Sequence, residues 1–299
     1  MISNNMSEQK SGRIIRGIGG FYYVETDIGL ITCRARGKLR KLGEIPYVGD
    51  FVTVSINQDM TGYVLEIMKR KNVMIRPPIS NIDMIAIVAS KAPPVTDTYF
   101  IDRIAALAAY KDIEVCVVIN KCDEDIGEEL FDIYSNTNIK VFRLSARTGE
   151  GVAEFREHLS GKLSAFTGNS GVGKSTLINA ILPDAELETG EINSKIGRGR
   201  HTTRQVEILK LSDDTWIADT PGFSAFDIAA KDEIRPEELE KLFPDFSEFI
   251  SECKFIGCSH IKDSDCAVVS AVENGKIQKS RYESYKKMYS ELEKIPKYK

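Results

Sequence analysis

The chain has 299 residues, 42% hydrophobic and 28% charged, with a net charge of −4, which suits a globular protein of about two domains and excludes a disordered chain or a uniformly basic nucleic-acid binder. No run of about 18 apolar residues occurs and residues 1–10 carry no apolar stretch, so neither a membrane span nor a secretory leader is expected and the protein reads as cytoplasmic, with no membrane partner. Of the six cysteines, Cys33, Cys116 and Cys122 are scattered, whereas Cys253, Cys258 and Cys266 crowd together, a spacing that suits a metal better than disulfides.

Apolar and polar residues alternate through residues 14–67, broken by turn signals at Gly19-Gly20, Asp27, Gly37, Gly49-Asp50 and Thr61-Gly62. Short strands at 14–15, 21–24, 30–33, 51–56 and 63–67 predict a small antiparallel barrel or sandwich ending near Lys71. Arg13, Arg16, Arg34, Arg36, Lys38, Arg40 and Lys41 gather here, opposed in that span mainly by Glu25 and Asp27. Two readings stand side by side: a solvated charged face, or a footprint for a phosphate backbone.

From Arg76-Pro77-Pro78 onward the texture changes. Residues 84–89 and 115–119 are nearly continuous apolar runs, as in parallel strands covered on both faces. Between them, Phe100, Ile104 and Leu107 fall on one stripe of a helix over 99–110. Further strands at 141–144, 163–167, 206–211 and 216–218 complete an α/β nucleotide-fold pattern. Beyond about residue 227 the chain turns helical, with Pro236 placed to start one helix and Pro244 to end it. In the last segment Tyr282, Tyr285, Met288, Tyr289 and Leu292 form a core stripe, and Lys279, Arg281, Lys286 and Lys287 read as its solvated basic back.

Three motifs carry chemistry. Gly168, Asn169, Ser170, Gly171, Val172, Gly173, Lys174 and Ser175 follow the 163–167 strand and open a helix at Thr176, the context a phosphate loop requires. Successive backbone N–H groups and a helix N-terminus would cradle the β-phosphate, Lys174 would reach the β and γ oxygens, and Ser175 would offer its hydroxyl to Mg²⁺. Asn120, Lys121, Cys122 and Asp123 stand at the end of the 115–119 strand, where ligands approach an open sheet. The Asp123 carboxylate can accept from guanine N1–H and N2–H₂, donors that adenine lacks, while Ser145 and Ala146 after the next strand add a backbone N–H for guanine O6. Asp219 would hold Mg²⁺ through water, and the Gly222 N–H would sense the γ-phosphate. Thr202 and Thr203 are the candidates for the switch threonine that completes the Mg²⁺ shell, with Thr203 preferred.

The guanine motifs precede the phosphate loop, the reverse of the Ras order, so the chain is circularly permuted. With the barrel, the permuted motifs and the terminal Cys/His cluster, it resembles, over nearly its whole length, the circularly permuted bacterial GTPase family known as the small ribosomal subunit biogenesis GTPase RsgA. That resemblance implies a multidomain α/β chain: an N-terminal all-β OB-fold barrel (1–73), a central circularly permuted P-loop GTPase domain (74–227) and a C-terminal helical zinc-binding domain (228–299). It implies GTP and GDP as ligands and the small (30S) ribosomal subunit, with its rRNA, as the partner in late maturation. Hydrolysis would drive release, and a monomer is expected.

A Ras-like enzyme orients the attacking water with a glutamine after the DxxG glycine; this chain has Phe223 there. His201 is the nearest candidate for that task, acting with Lys174 and Thr203 in catalysis, although a solvated loop histidine is the alternative. Arg198, Arg200 and Arg204 could stabilise charge or bind RNA phosphate. Intrinsic turnover near 10⁻⁴ s⁻¹, roughly the Ras-like rate, rising about 10³- to 10⁵-fold when a partner completes the site, is therefore expected. Cys253, Cys258, His260 and Cys266 supply three thiolates and one imidazole within 14 positions, a closed set suited to one structural Zn²⁺. Two other classes remain open at this point: a nucleotide-gated RNA-binding module with negligible hydrolysis, and a generic P-loop ATPase or kinase, which Asp123 disfavours.

Overall fold

A computed structural model describes residues 8–182, 206–220, 234–261 and 265–295. The chain divides into two compact units, the first comprising residues 1–84, 159–166 and 186–223 and the second the remainder.

In the first unit, β1 (Glu8–Ile18), β2 (Phe21–Thr26), β3 (Gly29–Ala35), β4 (Phe51–Ile56) and β5 (Thr61–Ile67) close into a five-stranded barrel, because β1 pairs with both β2 and β4. Ile14, Val24, Ile31, Cys33, Val52, Val54 and Val64 point inward and are completely buried, the period of two expected of a sheet with one face in the core. β1 serves both of its barrel partners by bending: its register shifts between Ile14 and Arg16, and at Gly12 any Cβ would run into the Glu25 carbonyl oxygen. The expected all-antiparallel arrangement is wrong at one seam. Between β3 and β5 the chain passes through α1 (Gly37–Lys41) and β4, and because β4 is antiparallel to β5, the two reversals leave β5 parallel to β3. Arg34, Arg36, Lys38 and Lys41 are exposed on this barrel, but Arg13 is half-buried over the rings of Phe51 and Trp216, and Arg16 pairs with Glu207.

A short ribbon of β6 (Val73–Met74) and β7 (Ile79–Ser80) follows the barrel. The same unit contains β11 (Leu163–Thr167), β12 (Glu207–Lys210) and β13 (Trp216–Asp219), in the order β11-β13-β12-β1. β11 and β13 are parallel, as the nucleotide-fold pattern predicts, but β12 is antiparallel to β13. A tight connection closed by Leu211 N–H to Thr215 O at 2.9 Å joins the two, and a hairpin that short permits only antiparallel pairing.

The second unit carries a β10-β9-β8 sheet built from β8 (Met84–Ala89), β9 (Glu114–Ile119) and β10 (Lys140–Arg143). All six residues of β8 are buried. Around the sheet lie α2 (Thr98–Tyr110), capped by Asp97 accepting from Tyr99 N–H at 3.0 Å, α3 (Glu128–Ser135), α4 (Val152–His158) and α5 (Lys174–Ile181). The C-terminal module consists of 3₁₀ turns Pro236–Leu242 and Pro244–Phe246, then α6 (Ser247–Ile250), α7 (Ala267–Glu273) and α8 (Lys279–Glu293). Pro236 opens its helix as expected, whereas Pro244 starts a second turn rather than merely ending the first.

Of the stripe predicted on α8, Tyr282, Tyr285, Met288 and Leu292 are buried and Tyr289 is half-buried. Arg281, placed by the sequence on the solvated back, is instead 2% exposed. Its guanidinium donates to Asp102 on α2 at 2.7 Å and to Asp245 at 2.6 and 3.2 Å, under the Phe243 ring. Tyr134 of α3 donates to the same Asp102 at 2.9 Å, so the pair of Arg281 and Asp102 joins α8, α2, α3 and the Pro244–Phe246 turn. No described helix is long and apolar enough to cross a membrane.

Candidate nucleotide site and metal centre

β11 runs into the loop 168–173, and two glycines there have no substitute. A Cβ on Gly168 would lie 2.5 Å from the Val88 carbonyl oxygen, and Gly173, at φ 89°, presses against the Asn120 amide. Gly173 also sits where a helix N-cap side chain would be, so no side chain bonds the first N–H groups of α5 and they stay aimed at the loop's mouth. Lys174 is half-buried at the first turn, with Ser175 and Thr176 exposed beside it.

Asn120 joins this loop to the guanine motifs. It is 2% exposed; its Nδ2 donates to the Val172 carbonyl at 2.9 Å, and its Oδ1 accepts from the Ala146 N–H at 2.9 Å. One amide thus draws three sequence-predicted segments to a single point in the second unit. The Ala146 N–H expected at guanine O6 is, in this structure, donated to Asn120. Lys121 takes the left-handed conformation (φ 66°) and anchors its ammonium on the Pro93 carbonyl at 2.6 Å. Asp123 Oδ1 accepts the Ser145 hydroxyl at 2.5 Å, Ser145 Oγ accepts the Thr148 N–H at 3.2 Å, and Arg147 pairs with Asp123 Oδ2. The Ser145 bond is the chief influence holding the Asp123 carboxyl below its ordinary pKa, aided by Arg147, so an ionised acceptor is in place at neutral pH.

In the first unit Asp219 ends β13 in register with Phe166 on β11, and the Thr220 hydroxyl donates to the Phe166 carbonyl at 2.7 Å. His201, Thr202, Thr203, Arg198, Arg200, Arg204, Gly222 and Phe223 lie outside the described residues.

The Cys/His cluster does come together. The ligand atoms of Cys253, Cys258, His260 and Cys266 all fall within 4.8 Å of one another. His260 Nδ1 is 3.3 Å from Cys266 Sγ and 3.6 Å from Cys253 Sγ, and those two sulfurs are 3.9 Å apart. Tetrahedral donors at metal–nitrogen and metal–sulfur bond lengths of about 2.0 and 2.3 Å would be separated by about 3.5–3.8 Å. Donor chemistry and spacing both fit a small tetrahedral metal ion. Nδ1 faces the sulfurs because Nε2 is engaged elsewhere, 2.9 Å from Glu240 Oε2, the outer carboxylate that commonly orients a ligating imidazole. His260 itself sits at φ 59°, and the loop is held by the Tyr282 hydroxyl on the His260 carbonyl (2.8 Å) and the Tyr285 hydroxyl on the Ser259 carbonyl (3.0 Å).

Sequence reasoning missed Glu240, Arg147 and the Pro93 carbonyl. Arg147 directly follows Ser145-Ala146 and was open to notice; Glu240 lies 20 residues before its histidine in a different element and carried no local signal.

Known proteins agree with this arrangement. The profile of the RsgA GTPase family matches residues 67–229 and that of the RsgA N-terminal domain residues 11–64. The chain is 45% identical to the small ribosomal subunit biogenesis GTPase RsgA of Caldanaerobacter subterraneus subsp. tengcongensis, over 97% of this chain and 98% of that one, and 40% identical to that of Bacillus subtilis, over 96% and 99%. Its fold is similar to the crystal structure of YjeQ from Thermotoga maritima (TM-score 0.82, 35% identity, 97% of this chain and 100% of that chain). It is also similar to that of YloQ, described as a circularly permuted GTPase (TM-score 0.77, 35% identity, 99% of each). Barrel, permuted motif order and helical C-terminus define the class, a circularly permuted P-loop GTPase, and with it a GTP hydrolase. Within that class, the chain belongs to the RsgA GTPase family.

Proposed function

We propose that this protein binds the small (30S) ribosomal subunit, assists its late maturation, and hydrolyses GTP to GDP and phosphate to drive its own release. The Asn120 hub carries the nucleotide part of the reading: it tethers the phosphate loop at Val172 and the base loop at Ala146 as the two ends of one ligand would require. In this reading Asp123 selects guanine, Ser145 and Ala146 line the base, the 168–173 amides and the α5 N-terminus hold the β-phosphate, and Lys174 neutralises the γ oxygens. Ser175, Thr203 and, through water, Asp219 would hold Mg²⁺, which would supply charge neutralisation to the phosphates. Water orientation falls to His201 because Phe223 has no hydrogen-bonding group. Residues 1–73 and their exposed arginines and lysines meet rRNA, and the fourfold Cys/His set holds one structural Zn²⁺ that stabilises the module from 228 onward.

The test is GTP turnover measured with purified small subunits, large subunits and neither. Low basal activity that rises by about 10³-fold or more with small subunits alone, and that Lys174→Ala removes, is the expected result. Equal rates in all three conditions would refute the ribosomal assignment.

A further inference from the structure

The carboxylate expected to read guanine is already occupied by a cation. Ser145 holds Asp123 Oδ1 and Arg147 holds Oδ2, which leaves the Asp123 side chain 11% exposed while Arg147 remains 68% exposed and able to leave. A second acceptor stands ready, because Nη1 of the same guanidinium is 3.7 Å from Glu124 Oε1. All four residues belong to the second unit.

The chemistry of the two donors is the same. A guanidinium is a planar fork of N–H groups that matches a carboxylate face on. Guanine presents N1–H and N2–H₂ across a shared carbon, the same N–C–N unit in a ring. Base and arginine therefore compete for one acceptor. We propose that Arg147 gates nucleotide entry: its guanidinium stands in for the guanine edge on Asp123 while the pocket lacks nucleotide, and transfers to Glu124 when the base arrives. This rests on Asp123 being the guanine-reading residue.

The gate has a consequence for specificity that a merely structural ion pair lacks. Hypoxanthine has N1–H but no N2 amino group, so an inosine nucleotide leaves one Asp123 oxygen for Arg147 to keep. Arg147 thus softens discrimination against inosine while opposing guanine. Exposed ion pairs have small effects, so the expected changes are about two- to fivefold.

The experiment follows binding of a fluorescent GDP analogue by stopped flow, with GDP and inosine diphosphate as competitors, in the full chain. Arg147→Ala should associate faster, bind GDP about two- to fivefold tighter, and widen the GDP-over-inosine-diphosphate preference. Glu124→Gln should slow association, since the displaced guanidinium loses its alternative anionic partner. Both differences should shrink at about 1 M salt, where the Debye length is about 3 Å. Unchanged or weaker GDP binding by Arg147→Ala, with an unchanged melting temperature, overturns the gate. The underlying reading is tested separately: Asp123→Asn should shift preference toward xanthosine diphosphate, and in that background Arg147→Ala should have no effect. If Asp123→Asn leaves base preference unaltered, the guanine assignment fails; if it shifts preference and Arg147→Ala still gives no gain on GDP, only the gate fails.

Discussion

Replacing Arg281 with methionine is the sharpest test of how the C-terminal module is attached to α2. Methionine keeps the apolar stem against Phe243 but removes a cation that donates to Asp102 and Asp245 from a position 2% exposed. Asp102, whose side chain is fully buried, then faces the interior uncompensated. Breaking one side of a buried pair costs about 3–5 kcal/mol, a large share of the stability of an ordinary domain. Burial already pushes the Asp102 carboxyl upward, and Arg281 is the first influence drawing it back, ahead of Ser284 and Tyr134. Without the guanidinium the folded-state pKa rises further. A carboxyl raised above its unfolded value loses stability as pH rises through the folded pKa, so the penalty must grow with pH. Urea unfolding at pH 5 and pH 8 should show the full loss at pH 8 and a smaller one at pH 5. Adding Asp102→Asn should restore more than half of it, because the stranded charge is gone while its oxygen still accepts from Tyr134. A loss below about 1 kcal/mol, or one equally large at both pH values, would refute the reasoning.

Two further outcomes follow from the site geometry. Asn120→Ala strands the Val172 carbonyl and the Ala146 amide, and at about 1–3 kcal/mol for each group it should weaken GDP and GTP alike by on the order of 10²-fold in equilibrium titration; an unchanged affinity would separate the phosphate loop from the base loop. Glu240→Ala removes the carboxylate on His260 Nε2 and should lower metal affinity about 10- to 100-fold against a chromogenic chelator, with far-ultraviolet circular dichroism of the module falling at lower chelator concentration than in the wild type.

The parts legible in the sequence were those where the backbone itself makes a demand. Gly168 and Gly173 are glycines because a carbonyl and an amide lie where a Cβ would go, and the loop they form was readable from spacing alone. Strand β8 was equally plain, since burial on every residue leaves an unbroken apolar run. The β3–β5 seam was not: parallel pairing there depends on how many reversals separate the strands, which no local pattern encodes. Nor was the Glu240 contact, where two side chains from separate elements meet.

Arg281 falls between these cases. It stands at i with Tyr285 at i+4, Met288 at i+7 and Leu292 at i+11, so helical arithmetic places it on the buried face; only its charge argued for solvent. The arithmetic prevailed because Asp102 lies 179 residues away in the chain and Asp245 36 away, and both converge on the same point. Asn120 obeys the same logic with an amide, reaching 52 residues to Val172 and 26 to Ala146. In a permuted chain the order of segments carries no spatial information, so what holds the nucleotide motifs and the terminal module in place is a small number of buried polar side chains with partners on distant segments. Periodicity can show that such a residue is inside. Its partner can be found only by asking which other buried group would otherwise be left unpaired, and for Arg281 the fully buried carboxylate of Asp102 is the group that most requires an answer.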